Sequence, residues 1–84
     1  MNELPDDDKD VLDFERQTWR YAGAKEAAVL ERFGVGMVTY YMRVNRIIST
    51  DEALAYDPLL TRRLRRLRAA RARQRSVARL GFDI

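Results

Sequence analysis

The most chemically distinctive stretch of the chain is residues 60–80, which carry nine arginines and no acidic residue. Ion pairs three or four residues apart on a helix cannot neutralise these cations, because the stretch supplies no carboxylate. The guanidinium group is planar and donates two parallel hydrogen bonds, a geometry that matches phosphate. We therefore expect most of these arginines to contact phosphate and a minority to be neutralised by the acidic amino end of the chain.

The amino end carries the opposite charge. Residues 1–15 hold seven acids and only Lys9, a local charge of −6, although the whole chain of 84 residues sums to +3. Asp6, Asp7 and Asp8 follow Pro5 at a predicted helix start, where carboxylates favour the positive end of the helix dipole. Three adjacent residues do not converge on one metal ion, so capping is the favoured interpretation. We predict an acidic segment at residues 1–9, which tempers non-specific binding, and one domain over residues 10–84.

The absence of two residue types excludes most catalytic chemistry. The chain has no histidine and no cysteine, so it lacks an imidazole base, a thiolate nucleophile and the usual ligands of zinc. We expect a protein that is not an enzyme and uses no metal, cofactor or small-molecule substrate. No apolar run is long enough to span a bilayer, and the amino end is acidic where a secretory signal is basic. The expected location is the cytoplasm, with no membrane partner.

A second distinctive group of residues is Phe33-Gly34-Val35, a candidate turn between two helices. A helix-turn-helix needs a small residue at its sharp turn, with apolar residues on either side, because its two helices cross at close range. The segment 24–33 is rich in strong helix formers, and residues 37–48 place apolar side chains at helical spacing. These features predict a helix-turn-helix; the alternative is that Gly34 only joins two packed helices of a bundle.

The remaining elements must position the turn and the arginines. We expect a first helix from about Asp8 to Gly23, a short turn at residues 53–55 and a last helix from Pro58 to about Leu80. The last helix is expected to place an apolar stripe on one face (Leu60, Leu64, Leu67, Ala70) and arginines largely opposite (Arg62, Arg65, Arg66, Arg73). Neither strand-like alternation nor an internal repeat occurs. The predicted fold class is all-α: a small helical domain with a central helix-turn-helix and a long arginine-rich carboxyl-terminal helix.

The second helix of the turn is expected to expose one face to a DNA groove, with its free backbone N–H groups near phosphate. The candidates for that face are Gly36, Val38, Thr39, Met42, Arg43 and Arg46. Its two arginines come late in the helix, so base reading would depend on methyl contacts to thymine, which predicts modest sequence specificity. Of Tyr40 and Tyr41, one should pack in the core and the other should place its hydroxyl near a phosphate.

One set of residues occurs in the order of a known family: Leu12 to Arg16, Trp19, Tyr21 to Glu26, Phe33-Gly34, Tyr40-Tyr41, Asn45, Asp57-Pro58-Leu59 and Arg62 to Arg68. In this order they resemble a group of small actinobacterial helix-turn-helix proteins, long filed as a domain of unknown function and now described as nucleoid-associated proteins that bind GATC-containing DNA. The resemblance implies a widely binding DNA protein that shapes chromosome structure and adjusts transcription. It places residues 36–41 at the groove. That family tends to have serine where this chain has Gly36.

The expected partner is double-stranded DNA, bound by the second helix of the turn in the major groove and by the arginine helix on the phosphate backbone. The candidate DNA contacts are Lys25, Gly36, Met37, Val38, Thr39, Tyr40, Tyr41, Arg43, Arg46, Arg62, Arg63, Arg65, Arg66 and Arg73. Binding as a monomer and as a homodimer on paired half-sites both remain open. One alternative is a protein-interaction module that docks an acidic partner such as the transcription machinery. Binding to anionic lipid is less favoured, because the leucine stripe is needed for the core.

Overall fold

A computed structural model describes residues 3–79 of the chain, and the side chains of residues 3–76. These residues form five α-helices and no strand: α1 (Asp6–Glu15), α2 (Ala22–Phe33), α3 (Met37–Ile48), α4 (Asp51–Tyr56) and α5 (Pro58–Arg79). The predicted all-α class is confirmed. The boundary expected at residue 9 falls inside α1, and Leu4 before that helix is only 5% exposed, so the acidic start packs onto the domain.

The first helix is shorter than its sequence predicts. It ends at Glu15 instead of Gly23, and α2 already begins at Ala22. The chain turns after α1, and the ring of Trp19 lies 5.4 Å from that of Phe14. In a continuous helix, Phe14 and Trp19 would lie about 7.5 Å apart along the axis. The contact between their rings therefore favours a turn after α1 over a longer helix.

The corner between α2 and α3 is built on Gly34, as predicted. Its φ of 69° lies in the left-handed region, which side chains with a Cβ rarely adopt. The Gly34 N–H donates to the Leu30 carbonyl at 2.9 Å and thereby closes α2. Val35 and Phe33 then pack against the core from either side of the turn.

Caps fix the start of α4 and of α5. The Thr50 hydroxyl accepts a hydrogen bond from the Ala53 N–H at 3.1 Å, and the Asp57 carboxylate accepts one from the Leu60 N–H at 3.2 Å. Asp57 also receives the Arg16 Nε–H at 2.8 Å. Burial alone would raise the pKa of Asp57, but the hydrogen bonds from Arg16 and Leu60 lower this pKa below its ordinary value. The helix α4 is longer than the predicted turn at residues 53–55.

The core lies where α3 crosses the other helices. Its largest fully buried side chains are contributed by α1, α2, α3 and α5: Val11, Leu12, Val29, Tyr40, Ile47, Ile48 and Thr61. An aromatic cluster extends it, in which the Phe14 ring contacts those of Trp19, Phe33 and Tyr40 at centroid distances of 5.3 to 5.8 Å. This core holds α3 with one face inward and the opposite face in solvent.

The helix α5 extends beyond the core. Leu60 and Leu64 are 6% and 8% exposed, but Leu67 is 44% exposed, and no side chain from residue 69 to residue 76 is buried. The predicted apolar stripe is therefore buried only over its first half, at Leu60 and Leu64. The radius of gyration, 14.4 Å, exceeds the about 12 Å typical of a compact chain of this length. The predicted end of this helix near Leu80 lies outside the described residues.

Candidate nucleic-acid interface

The exposed side of α3 is a continuous surface, which we call the outward face of α3: Val38, Thr39, Met42, Asn45 and Arg46. Val38 is 78% and Met42 67% exposed, although both are apolar. The opposite side of the same helix carries buried Tyr40, Val44 and Ile47. Short apolar and polar side chains on an exposed helix are the type that contacts base edges and thymine methyl groups in a major groove.

The first turn of α3 is open to an anion. Gly36 precedes the helix in an extended conformation and offers no side-chain cap, and the first turn contains no acidic residue. The backbone N–H groups at a helix start carry partial positive charge and favour phosphate. Met37, the first helical residue, turns toward the core and is only partly exposed.

Tyr40 lies in the core and not at a DNA-facing surface. Its side chain is 0% exposed, and its hydroxyl donates a 2.5 Å hydrogen bond to Glu15. Burial, followed by this hydrogen bond, raises the pKa of Tyr40 well above its ordinary value. Of the two adjacent tyrosines, Tyr40 is therefore the core residue, and it leaves the set of candidate DNA contacts.

Lys25 is also engaged within the protein. Its Nζ lies 2.8 Å from the Glu15 carboxylate, and its side chain is 18% exposed. The same ammonium group lies 5.1 Å from the centroid of the Tyr41 ring. Tyr41 is half-buried, and Arg71 also approaches its ring, at 5.6 Å from the centroid. Lys25 thus neutralises a buried carboxylate, and Tyr41 contacts two cations at the edge of α3.

The acids of α1 lie against the arginines of α3. Arg46 donates to Asp8 at 3.1 and 3.4 Å, in the two-point geometry of an arginine–carboxylate pair. Arg43 is partly exposed and lines a shallow groove with Asp7 and Asp10. The acidic start is therefore placed along one edge of the outward face of α3.

The arginines of α5 do not pair with these acids. Among residues with described side chains, ion pairs join Lys9, Arg16, Lys25 and Arg46 to carboxylates, and none involves α5. The expectation that the amino end neutralises a minority of the α5 arginines is therefore wrong for the side chains described. The physical reason is position: α1 packs against α3, and its carboxylates reach nearer cations first.

Several α5 arginines bond to backbone carbonyls instead. Arg65 donates to the carbonyls of Ile48 and Thr50 at 2.5 and 3.2 Å. Ile48 is the last residue of α3, where carbonyls have no further amide of the same helix to accept from. Arg68 donates to the Asn45 carbonyl at 3.1 Å and to the Ser49 hydroxyl at 2.7 Å. These contacts keep the positive charge of both guanidinium groups while they fix α5 beside the end of α3.

Four of the predicted α5 contacts are exposed: Arg62, Arg63, Arg66 and Arg73. Arg63 also reaches the Glu15 carbonyl at 3.4 Å. Sequence reasoning did not select Arg68 and Arg71 as site residues, although Arg68 is four residues after the core residue Leu64 and thus shares its face. That spacing is the signal that would have placed both beside α3.

A groove of about 330 Å³ separates α5 from the corner between α1 and α2. Arg63 and Arg71 line it, together with Leu67 and Trp19. The Trp19 Nε1 atom is buried and has no hydrogen-bond partner in the protein. The groove continues the basic surface of α5 around the side of the molecule. Within the described residues, no cluster of acids could hold a metal ion and no helix is long and apolar enough to cross a membrane.

The described residues define a small all-α domain with a tight glycine turn between α2 and α3 and a basic carboxyl-terminal helix. Residues 3–76 match the family DUF3263, described as a protein of unknown function, and the chain belongs to that family. No curated protein and no solved structure matches the chain.

Proposed function

We propose that this protein binds double-stranded DNA as a nucleoid-associated protein or transcriptional regulator, without catalytic activity, cofactor or membrane partner. The outward face of α3 enters the major groove, and arginines of α5 contact phosphates. The observation that carries the proposal is the combination of an acid-free, exposed recognition surface with an adjoining helix whose arginines have no carboxylate partner among the described side chains.

The geometry supports different roles in DNA binding for α3 and α5. Val38, Thr39 and Met42 are the exposed side chains nearest the open start of α3, and they carry methyl groups and one hydroxyl suited to thymine-containing sites. The α5 arginines carry charge without base-reading geometry, and phosphate contacts position a protein without reading sequence. Affinity then comes mainly from α5 and a modest selectivity from α3.

The resemblance to GATC-binding nucleoid-associated proteins of actinobacteria supports a preference for GATC sites and a location on the nucleoid in the cytoplasm. The expected test compares a GATC duplex with a scrambled duplex of equal length by fluorescence anisotropy. Thr39→Ala combined with Met42→Ala should reduce the difference in affinity between the two duplexes, because it removes the proposed contacts of these side chains with the bases. Leu59→Ala, an equally exposed apolar position on α5, serves as the control and should leave that difference intact.

Equal affinity of the wild-type protein for both duplexes would contradict base reading by α3, although not DNA binding itself. The same titration gives the stoichiometry, and hence whether a monomer or a homodimer binds. One protein per duplex indicates a monomer; two on paired sites indicate a homodimer.

A second candidate function is supported by the surface at the start of α5. Leu59 is 79% exposed and lines a shallow groove with Arg63 and Arg66. An apolar side chain between arginines fits an acidic amphipathic segment of a protein partner such as the transcription machinery. Nucleic acid that copurifies with the protein, seen as a raised ratio of absorbance at 260 to 280 nm, favours DNA; its absence favours the protein partner.

A further inference from the structure

Six of the α5 arginines fall into two sets according to the side of the helix on which they lie. Arg65, Arg68 and Arg71 contact α3, through the carbonyls of Ile48 and Asn45 and the ring of Tyr41. These contacts establish which side of α5 faces α3. Their guanidinium groups lie along the edge of the recognition helix, where they can reach a duplex seated on it.

The second set is Arg62, Arg66 and Arg73, which we call the outward stripe. All three are exposed. At 3.6 residues per turn they lie within about 40° of one another, and each lies about 160–180° around the helix from Leu64. Because Leu64 is 8% exposed and belongs to the core, the outward stripe points away from the core and from α3.

The dimensions of the stripe suit a duplex. Arg62 and Arg66 are separated by about 6 Å along the helix axis, and Arg62 and Arg73 by about 17 Å. The major groove of B-DNA is about 12 Å wide, so arginines spread over this length can reach phosphates on both of its sides. None of the ion pairs among the described side chains involves these three residues, and an external polyanion would relieve their mutual repulsion.

A duplex seated on α3 does not lie in front of this stripe. The body of α5, about 10–12 Å wide with its side chains, stands between the stripe and α3. Beyond Leu67 the helix runs past the core with every described side chain at least partly exposed, so a second polyanion can approach it freely.

We propose that the outward stripe binds a second segment of double-stranded DNA while α3 occupies the first, so that one molecule bridges two duplex segments. This inference rests on the proposed function, because it assumes that α3 binds DNA. Charge complementarity and the length of the stripe select a duplex as the occupant.

The test is a two-duplex capture experiment with the full chain. A biotinylated duplex is fixed on beads, the protein is added, and capture of a second, fluorescent duplex is measured beside the affinity for a single duplex in solution. The wild-type protein should capture the second duplex. R62Q/R66Q/R73Q should lower capture about tenfold or more beyond any loss of single-duplex affinity, because it removes three phosphate contacts from one side only.

A matched variant separates charge from folding. R62K/R66K/R73K keeps the three cations and should retain most of the capture, and circular dichroism should show the same helix content in both triple variants. Parallel loss of capture and single-duplex affinity in the glutamine variant would overturn the proposal, since it would mean that one duplex contacts all the arginines. Capture that persists in that variant would also overturn it. If the wild-type protein binds one duplex but captures no second one, bridging is contradicted and the proposed function is not. If it binds no duplex at all, the proposed function is contradicted.

Discussion

Arg46 on the outward face of α3 and Asp8 in the first turn of α1 form a two-point ion pair across 38 residues of sequence. The Arg46 side chain is 60% exposed, whereas that of Asp8 is 10% exposed. A phosphate that approaches Arg46 must therefore compete with a carboxylate held in place by the fold. In the proposed complex, the acidic start of the chain weakens the contact of α3 with DNA instead of neutralising the arginine helix.

Asp8→Asn should strengthen DNA binding. The substitution frees the Arg46 guanidinium group for phosphate, and an exposed ion pair of this kind is worth up to about 1 kcal/mol, or about fivefold in affinity. Asp6→Asn makes the same change in net charge on the same helix, but Asp6 contacts only Lys9, at 3.8 Å. Anisotropy titrations at low salt should show a clear gain for the first variant and a smaller one for the second. Equal gains would mean that net charge matters and the Arg46 contact does not. Deletion of residues 1–8 is a poorer test because it also removes Leu4 from the core.

Gly34→Ala should destabilise the domain. The φ of 69° at this position is costly for any residue with a Cβ, by about 1–2 kcal/mol, although a Cβ there would meet no neighbouring atom. Gly23→Ala is the control, because Gly23 lies within α2, where alanine is favourable, and the space around it is also open. Urea denaturation should show a lower free energy of unfolding for the first variant and no decrease for the second. Equal stability of both variants would contradict the left-handed turn at Gly34.

Alkaline pH should lower the stability of the domain. The pKa of Tyr40 is raised in the folded protein by its burial and its hydrogen bond to Glu15, whereas an exposed tyrosine ionises near pH 10. The stability that Tyr40 contributes is fully present below that pH and is lost as pH rises above it. Ionisation of Tyr40 then stabilises the unfolded chain but not the folded protein, in which this tyrosine stays protonated. The pKa of Tyr56 shifts in the same direction through its hydrogen bond to Asp13, so each tyrosine supplies part of the effect.

Tyr40→Phe isolates the contribution of Tyr40. At neutral pH it should lower the free energy of unfolding by about 1–3 kcal/mol, because the buried Glu15 carboxylate loses a hydrogen bond. It should also flatten the loss of stability above pH 10. Tyr41→Phe, at a half-buried position beside it, should change both quantities less. If the Tyr40→Phe variant loses as much stability above pH 10 as the wild-type protein does, groups other than Tyr40 cause that loss.

Residues that end or begin helices made most of the fold predictable from the sequence. The structure confirms that α2 ends before Gly34 and that α5 begins at Pro58. Both residues act through the conformation of their own backbone. The end of α1 was mispredicted because the contact of Trp19 with Phe14, a matter of packing, overrides helical spacing. Leu67 was mispredicted as a core residue because its spacing fits the stripe, whereas in the structure it lines the groove between α5 and the corner of α1 and α2 and is 44% exposed.

The candidate site was less predictable, since its side chains are set by contacts between distant parts of the chain. Tyr40 meets Glu15 across 25 residues and Arg46 meets Asp8 across 38, and no spacing rule links such pairs. Arg65 lies opposite the leucine stripe on a simple helical wheel, yet it donates to the carbonyl of Ile48, the last residue of α3. Composition could predict that the α5 arginines need an external anion, but only the packing shows which of them face α3.

The most direct test of the central claim is a salt titration of the wild-type protein with a double-stranded GATC duplex. DNA binding through α5 predicts that the logarithm of the association constant falls linearly with the logarithm of salt concentration, by about 0.9 for each phosphate contacted. The three arginines that lie beside α3, Arg65, Arg68 and Arg71, and the contacts along α3 together predict a slope steeper than about −2.7. No detectable binding at low salt, or an affinity that does not change with salt, would contradict the account.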